Sequence, residues 1–505
     1  MSAPAPALTP ALRWALATAA GCLNGAAFVY WGPLALLANA PLLWALRSAA
    51  GAREACGLGA WVGFLGGVHI FGVLGYGWWI FWAFSAYTAS QMTAFGWVTH
   101  RGWARAPSPR YAVALPALIW TLTEWARTVG PVALPASYAG CVADVAPLRP
   151  LLSWASAWGE LGVSALIALT ASALAALAEP LWRPTAGARA RRRAGLEALT
   201  LVGALWGWGA LAPAAVEGEP LRVAGLQGGF SNAHYEAASA DPLLSAELLR
   251  TYEALMGQAA AAGADLAVWA ESAVRAPLLT TPALRARLLP RGPGAPWVVG
   301  GVAHTDPDGR SYNLAVSMRE GELVDRYAKV KTVPGVEARF TRGDAWRPVQ
   351  TRWGPVGVLI CFESIYPHAG RALALGGARL LLVLSNDAGF GFTPISHHMT
   401  NRAIVRAVEL GRWVLRVGQS GITALISPRG ELVARLELFE ARALVGEARL
   451  RDSLTPYARW GLWWLWGVAA LLLAPELRGR RAPPRARRLV FGRAPDASSE
   501  PPSAP

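Results

Sequence analysis

The sequence predicts a multi-pass α-helical membrane domain joined to an α/β domain. Three observations support this fold class: an apolar composition, repeated long apolar segments in the first 217 residues, and alternating strand and helix patterns between 221 and 455. Of the 505 residues, 54% are hydrophobic, 16% are charged and 25 are Trp. That balance is too apolar for an ordinary soluble protein of this size.

The apolar segments of the N-terminal part recur at lengths that cross a bilayer or nearly do so. A transmembrane helix needs about 20 apolar residues. The segments lie near residues 11–28, 30–46, 57–82, 87–99, 111–127, 150–181 and 196–213, with an eighth near 460–473. We therefore expect a membrane domain of about seven transmembrane helices over 1–217 and one C-terminal transmembrane helix over 456–477.

Positive charge alternates between the connections of these segments. No charged residue lies at 29–32 or at 83–86, whereas every second connection is basic. The basic connections contain Arg47, Arg53, Arg101, Arg105, Arg110, Arg183, Arg189, Arg191, Arg192 and Arg193. By the positive-inside rule these loops are cytoplasmic. The rule then places residues 218–455 outside the cytoplasm and returns the Arg-rich, Pro-rich tail, 478–505, to the cytoplasm as a disordered segment.

The distribution of charge does not indicate a nucleic-acid-binding protein, and the cysteine content does not indicate a disulfide-rich one. The net charge is +15, but the Arg residues cluster beside apolar segments rather than along one amphipathic face, so no nucleic-acid partner is expected. Only Cys22, Cys56, Cys141 and Cys361 occur, which does not suggest a disulfide framework. Cys361 is alone in the polar part of the chain, where a single thiol favours a chemical role.

The polar part, 221–455, alternates β-branched runs with helical patterns. Strands are predicted at Leu221 to Gln227, Leu266 to Trp269, Trp297 to Val302, Val356 to Ile360, Leu380 to Leu384 and Trp413 to Val417. Helices are predicted at Pro242 to Ala262 and Ser396 to Leu410. This alternation is typical of an α/β domain.

Three reactive side chains lie at or just beyond the ends of predicted strands. Glu271 follows one strand, Lys329 follows Tyr327-Ala328, and Cys361 follows another strand directly. Sites in α/β sheets form at such strand ends, and a sharp strand-to-helix turn can expose a nucleophile. A thiol nucleophile, a carboxylate base and a cation near a developing oxyanion together predict acyl chemistry.

Each of the three residues also has an ordinary structural interpretation. A lone Cys is usually a buried structural thiol, and Glu271 alone could be a surface carboxylate. Lys331 competes with Lys329, since residues two apart face the same side of a strand. The Tyr-x-Lys pattern and the eight-residue step to Glu337 favour Lys329.

With these motifs in order, the chain resembles the carbon-nitrogen hydrolase (nitrilase) superfamily and, within it, the apolipoprotein N-acyltransferases. The resemblance covers nearly the whole chain. It rests on Trp269-Ala270-Glu271-Ser272, on Tyr327-Ala328-Lys329 with Val333-Pro334 and Glu337, on Cys361-Phe362-Glu363, and on the run from Ser385 to Gly391.

The resemblance implies an αββα sandwich and an acyl transfer in two steps. Cys361 would take an acyl group from a membrane phospholipid as a thioester, and the lipid-modified N-terminal cysteine of an apolipoprotein would accept it. Glu271 would be general base and acid, and Lys329 would stabilise the oxyanion. No cofactor or metal is implied, and the location is a bacterial-type cytoplasmic (inner) membrane with the catalytic domain on the periplasmic side.

The resemblance also implies supporting residues around the site. Glu337 and Glu363 would orient and charge-balance Lys329 and Cys361. Asn386 and Asp387 either form part of the site wall or cap a turn. Acyl-contacting candidates are Phe230, Phe362 and Phe390.

Five positions depart from the family pattern, and they keep two alternatives open. Ala270 replaces a Pro, Gly335-Val336 replaces Phe-Gly, Phe362 replaces a Tyr and Gly389 replaces a Trp. The alternatives are a membrane-anchored nitrilase-like amidase or hydrolase, in which water replaces the amine, and an inactive nitrilase-like scaffold. The complete set of Glu271, Lys329 and Cys361 argues against the scaffold.

Overall fold

The N-terminal part of the chain is helical throughout the residues described. The structure, a computed structural model, describes residues 8–67, 77–129, 136–211, 217–238, 240–274 and 276–480. The N-terminal helices are α1 Pro10–Val29, α2 Ala40–Arg47, α3 Ala52–Gly67, α4 Trp78–Trp103, α5 Pro109–Val129, α6 Tyr138–Cys141, α7 Arg149–Leu152, α8 Ala155–Trp182 and α9 Ala186–Leu211. Of the described helices, α8 and α9 are both long and apolar enough to cross a membrane.

Two of the predicted helix boundaries in this part are wrong. The segment predicted as a span at 30–46 is a 3₁₀ turn, Gly32–Leu36, followed by the eight-residue α2. The connection predicted at 83–86 lies inside α4, which has 26 residues. Helix α4 begins after Gly77, whose φ of 137° is accessible to glycine and strained for other residues; the segment 83–86 contains no Gly or Pro that would end a helix.

The predicted C-terminal span, 456–477, is also divided. Helix α15, Pro456–Trp460, ends at Gly461, which has a φ of 64°, and α16, Leu465–Arg480, follows it. Helix α16 therefore extends three residues into the predicted tail. The remainder of that tail, 481–505, lies outside the described residues.

The polar part of the chain forms strands and helices in alternation. The strands are β1 Glu219–Gln227, β2 Leu266–Trp269, β3 Trp297–Thr305, β4 Ser311–Arg319, β5 Glu322–Ala328, β6 Val349–Thr351, β7 Gly354–Ile360, β8 Leu381–Ser385, β9 Val414–Gly418, β10 Thr423–Ile426, β11 Leu432–Leu436 and β12 Arg442–Leu450. The helices are α10 Asn232–Ala237, α11 Pro242–Ala261, α12 Pro282–Leu288, α13 Pro367–Leu375 and α14 Ile395–Leu410.

Within the described residues these strands build two six-stranded sheets. Their orders are β12-β1-β2-β3-β4-β5 and β11-β10-β9-β8-β7-β6. In each sheet the three adjacent strands predicted from sequence, β1-β2-β3 and β7-β8-β9, are parallel. Parallel strands present their carboxyl ends at one edge, so the residues after β2 and after β7 emerge at sheet edges.

The two sheets pack face to face. Val223 and Val299 of one sheet share a buried core with Leu382 and Leu415 of the other. Helix α11 packs against β1 and β12 on one outer face, and α13 and α14 pack against β7 and β9 on the other. The α/β class predicted from sequence is confirmed, and the layers are those of an αββα sandwich.

A buried ion cluster joins the helical part to this sandwich. Glu160 of α8 accepts from Arg406 of α14 at 2.8 Å and from Arg402 of the same helix at 3.2 Å. Arg406 also pairs with Glu409 at 3.1 Å, and the Glu160 backbone N–H donates to Glu409. Gly159, with a φ of 70°, kinks α8 so that Glu160 points at α14. This cluster fixes how the two parts meet.

We expect Glu160→Gln to destabilise the protein by about 3 kcal/mol, because it leaves buried guanidinium charge uncompensated. The measurement is the thermal unfolding midpoint in detergent, read on the intact chain. Arg110→Gln is the matched control: it removes one partner of the exposed Arg110–Glu197 pair, whose atoms approach to 2.6 Å in solvent. Equal midpoints for the two variants would contradict the structural role of the cluster.

Candidate active site

Cys361 lies at the point where β7 stops and a 3₁₀ turn, Cys361–Ile365, begins. Its φ is +50°, a left-handed conformation that is strained for a residue other than glycine. Ser364 Oγ donates to the Cys361 carbonyl oxygen at 2.8 Å and closes the turn. The turn leaves the thiol partly exposed to the cavity described below.

Glu271 emerges two residues after β2 and is 6% exposed. Its Oε1 accepts from Lys329 Nζ at 2.9 Å and from Asn313 Nδ2 at 2.7 Å, while its Oε2 accepts from the Asn386 backbone N–H at 3.0 Å. Both carboxylate oxygens are thus held in fixed directions.

Lys329 follows β5 and is nearly inaccessible to solvent. Its Nζ donates to Glu271 and to Glu337, each at 2.9 Å. Burial by itself would lower the pKa of Lys329, but the negative charges of Glu271 and Glu337 raise it above the usual value. Lys329 is therefore a permanent cation in the site.

The pKa of the Cys361 thiol is raised above its usual value. Burial is the largest cause, and the negative charge of Glu271 adds to it, while Lys329 opposes both. The resting thiol is consequently protonated at neutral pH. A nucleophilic role then requires a base, and Glu271 is the carboxylate with the strongest influence on this thiol.

Glu363 is completely buried and ties two segments of the site together. Its Oε1 accepts from Tyr327 Oη at 2.7 Å and from the Val330 backbone N–H at 2.8 Å, and its Oε2 accepts from the Ile360 backbone N–H at 2.9 Å. It thereby links the turn of Cys361 to the segment after Lys329. Of the two supporting glutamates, Glu337 contacts Lys329 and Glu363 holds the turn of Cys361.

Asn386 and Asp387 have different places. Asn386 lines the cavity, donates its backbone N–H to Glu271, and accepts the Ala388 backbone N–H on its side chain, so it is both wall and turn cap. Asp387 is buried beneath the wall, paired with Arg416 at 2.6 Å and accepting from Ser385. It is not part of the lining, and a site-wall role for its side chain is wrong.

Asn313 is the site residue that the sequence did not reveal. Its side-chain amide donates to Glu271 at 2.7 Å and to Glu337 at 3.0 Å. It lies on β4, which was not predicted as a strand. An isolated amide directly before the run Leu314 to Met318 would have been the available signal, since a buried polar group needs partners.

A cavity of about 1150 Å³ connects these residues to the helical part. Glu271, Lys329 and Cys361 line it on the sandwich side. Helix α4 supplies Trp79, Ile80, Ala83, Phe84 and Tyr87 on the other side. The site thus faces a space bounded by both parts of the molecule.

Two of the three aromatic residues predicted to contact an acyl chain lie on this cavity. Phe362 and Phe390 line it, whereas Phe230 does not. Phe230 packs against His234 with ring centroids 4.7 Å apart and against Tyr235 at 6.1 Å. Phe230 therefore belongs to a small satellite core.

Two stacked sheets that bring a glutamate, a lysine and a cysteine to one cavity define an enzyme of the carbon-nitrogen hydrolase type. The carbon-nitrogen hydrolase family model matches residues 238–452. A second model, the apolipoprotein N-acyltransferase N-terminal domain, matches residues 20–173.

Proteins that are similar to this chain over nearly their whole length identify the family more specifically. The apolipoprotein N-acyltransferase of Azotobacter vinelandii is 33% identical, covering 92% of this chain and 95% of that protein. Those of Pseudomonas aeruginosa (strain UCBPP-PA14) and Pseudomonas putida are 31% and 30% identical, covering 94% and 92% of this chain and 98% and 96% of those proteins. The chain belongs to the apolipoprotein N-acyltransferase family.

Solved structures are more distant. An amidase from Nesterenkonia sp. aligns with a TM-score of 0.34 at 20% identity, covering 49% of this chain and 95% of that chain.

We expect Glu271→Gln to lower the pKa of the Cys361 thiol and, at the same time, to lower the turnover rate. Removing the carboxylate charge lowers the pKa of the thiol, so the midpoint of the pH profile for iodoacetamide alkylation moves to lower pH. Turnover falls about 10²- to 10⁴-fold because the base is lost. Alkylation is followed at the Cys361 peptide by mass spectrometry.

The control for this experiment is Glu322→Gln, which removes the same charge from an exposed position at the start of β5. Its alkylation midpoint and turnover should match those of the wild type. A midpoint that stays in place or rises in Glu271→Gln would show that the Glu271 charge does not act on the thiol.

Proposed function

We propose that this protein transfers an acyl chain from a membrane phospholipid, through a thioester on Cys361, to the α-amino group of the lipid-modified N-terminal cysteine of an apolipoprotein. It is an acyltransferase by its family. The observation that carries the proposed route is the cavity that Glu271, Lys329 and Cys361 share with apolar side chains of α4. Both substrates carry acyl chains, and such a cavity receives them from the bilayer.

In the first step Glu271 takes the proton of the Cys361 thiol. The sulfur attacks the ester carbonyl of the phospholipid, and negative charge develops on the carbonyl oxygen. Lys329 stabilises this charge, since its buried ammonium remains protonated throughout. The carbon–oxygen ester bond then breaks, Glu271 gives its proton to the leaving alkoxide, and a lysophospholipid departs.

In the second step the amine of the apolipoprotein attacks the thioester carbonyl. Glu271, again ionised, takes a proton from the attacking nitrogen, and Lys329 stabilises the second oxyanion. The carbon–sulfur bond breaks, an amide is left on the apolipoprotein, and the proton on Glu271 returns to the thiolate. Atoms and charge balance over the cycle, and the thioester stores the acyl group without a nucleotide.

The supporting residues act on the three proposed catalytic groups. Glu337 shares the ammonium of Lys329 with Glu271, so that Lys329 stays in place when Glu271 becomes protonated. Asn313 bridges the two carboxylates. Positioning of this kind contributes to rate because donors need no reorganisation during the reaction.

We expect purified protein incubated with phospholipid labelled in its acyl chain to carry the label on Cys361. Addition of a diacylated lipopeptide with a free amine should move the label to the peptide, while the same lipopeptide with an acetylated amine should not accept it. Mass spectrometry of protein and peptide gives both readings. Cys361→Ala is the matched control and should carry no label.

The outcomes separate the alternatives. A thioester that is hydrolysed at the same rate with and without the lipopeptide would replace the transferase by a hydrolase. Absence of label on the wild-type protein under all conditions would favour the inactive nitrilase-like scaffold.

The proposal includes a multi-pass membrane domain with the sandwich on the periplasmic side. Contacts among helix ends support it. Arg191 pairs with Glu179 at 2.5 Å, Arg47 lies 4.0 Å from the same carboxylate, and the Arg47 guanidinium stacks on Trp103 at 3.8 Å. The three basic connections therefore share one end of the helical part, as the positive-inside rule requires of cytoplasmic loops.

The opposite helix ends carry exposed tryptophans. Helix α4 has Trp78 and Trp79 at the end far from Arg101, and α9 has Trp208 at the end far from Arg191. Tryptophan is enriched where membrane meets water. A 26-residue helix is about 39 Å long, enough for the hydrocarbon core of a bilayer. Trp79 also lines the cavity and lies beside Gly335 of the sandwich, so the active site would lie at the outer interface.

We expect a membrane-impermeant maleimide to label Arg326→Cys, on the exposed face of β5, in intact spheroplasts. Arg193→Cys, in the basic first part of α9, should react only after the membrane is permeabilised. Labelled peptides are identified by mass spectrometry, which separates them from the native cysteines. The reverse pattern would invert the orientation, and equal labelling of both before permeabilisation would rule out a sealed, membrane-spanning arrangement.

A further inference from the structure

One wall of the cavity carries more positive charge than the proposed chemistry uses. The segment after β5 contributes Lys331, Arg339 and Arg342 to the lining. Within the described part of the chain, none of the three forms an ion pair with a carboxylate. Lys329, which precedes them in the same segment, forms ion pairs with two carboxylates. This cationic wall, Lys331 with Arg339 and Arg342, therefore has charge available for a ligand.

Lys331 is held in place without being neutralised. Its backbone N–H donates to the buried carboxylate of Glu363 at 3.2 Å, the same group that fixes the turn of Cys361. Its ammonium lies 5.7 Å from the centroid of the Tyr366 ring, which also lines the cavity. A half-buried ammonium loses hydration and gains only a weak cation–π contact here. An anionic ligand would compensate for the lost hydration of this ammonium.

The two arginines extend the same wall. Arg342 donates its Nε to the hydroxyl of Thr332 at 3.2 Å, which orients the guanidinium but does not balance its charge. The Arg339 guanidinium lies over the Phe340 ring at 4.7 Å. Guanidinium groups bind phosphate oxygens in a bidentate manner, and a lysine contributes a point charge.

Another cation of the lining is already paired. Arg402 also lines the cavity, but its guanidinium is engaged by Glu160 at 3.2 Å and by Ser137 Oγ at 2.7 Å. An anion entering the cavity would therefore be drawn to the segment after β5, on the same side as Lys329.

We propose that the cationic wall binds the phosphodiester of the donor phospholipid and so places its ester next to Cys361. This inference rests on the proposed function and adds the part of the substrate that the wall recognises. Val330 is the one residue between Lys329 and Lys331 in the chain, and both lysines line the cavity. In a glycerophospholipid the ester and the phosphate are carried on one glycerol, so both can be engaged at once.

The test compares two donors that carry the same acyl chain: a phospholipid and an uncharged diacylglycerol. The rate of thioester formation on Cys361 is measured on full-length protein in detergent for each. Lys331→Gln should lower kcat/KM for the phospholipid about tenfold or more relative to its effect on the diacylglycerol, chiefly through KM, as expected for loss of a charge-assisted contact. Lys331→Arg should restore most of the preference.

The matched control is Arg326→Gln, which removes one positive charge from exposed β5 outside the cavity. It should leave the donor preference unchanged. An equal loss for both donors in Lys331→Gln, or no loss for either, would overturn the phosphate site. Absence of a thioester from either donor on the wild-type protein would instead contradict the proposed function.

A competition arm distinguishes a lipid headgroup from free phosphate. Glycerol phosphate and inorganic phosphate are each added at constant ionic strength. Stronger competition by glycerol phosphate, lost in Lys331→Gln, is the expected result for a site that recognises a phosphate carried on glycerol. Equal or stronger competition by inorganic phosphate would identify a free-phosphate site and overturn the headgroup assignment.

Discussion

The architecture depends on keeping the ammonium of Lys329 charged although it is almost completely buried. Lys329 is 1% exposed, and a lone ammonium at that depth would lose its proton. Glu271 and Glu337, each 2.9 Å from Nζ, reverse that tendency. Those carboxylates must themselves be buried and satisfied, which Asn313 and the Asn386 backbone accomplish. The site is thus a closed electrostatic unit into which Cys361 projects.

A third carboxylate couples this unit to the nucleophile. Glu363 accepts bonds from both sides of the site, at Ile360 before the cysteine and at Val330 after the lysine. Burial raises the pKa of Glu363, and these donors oppose that shift by stabilising its ionised form. The strained φ of Cys361 is maintained by this surrounding structure, which positions the thiol between the sheet edge and the cavity.

The helical part completes the site from the other side. The ion cluster of Glu160, Arg402 and Arg406 sets the distance between α8 and α14, and α4 then closes the cavity with aromatic side chains. Breaking a buried ion pair costs more than its formation contributes. Such a cluster therefore specifies one arrangement of the two parts more than it stabilises either.

By itself the sequence determined the class of the fold, the six buried parallel strands and the three reactive residues, because continuous β-branched runs and strand-end motifs are local patterns. Tertiary structure decided what lies around them. Strand β4 and the mostly exposed edge strand β5 were not predicted, so Asn313 had no predicted place. Which carboxylate binds Lys329, the burial of Asp387 against Arg416, and the break at Gly77 rather than at 83–86 likewise depend on contacts between distant segments. Pairing of buried charge is a property of three-dimensional proximity. Spacing along the chain suggested Glu337 beside Lys329, but not the contact of Lys329 with Glu271 or that of Asp387 with Arg416.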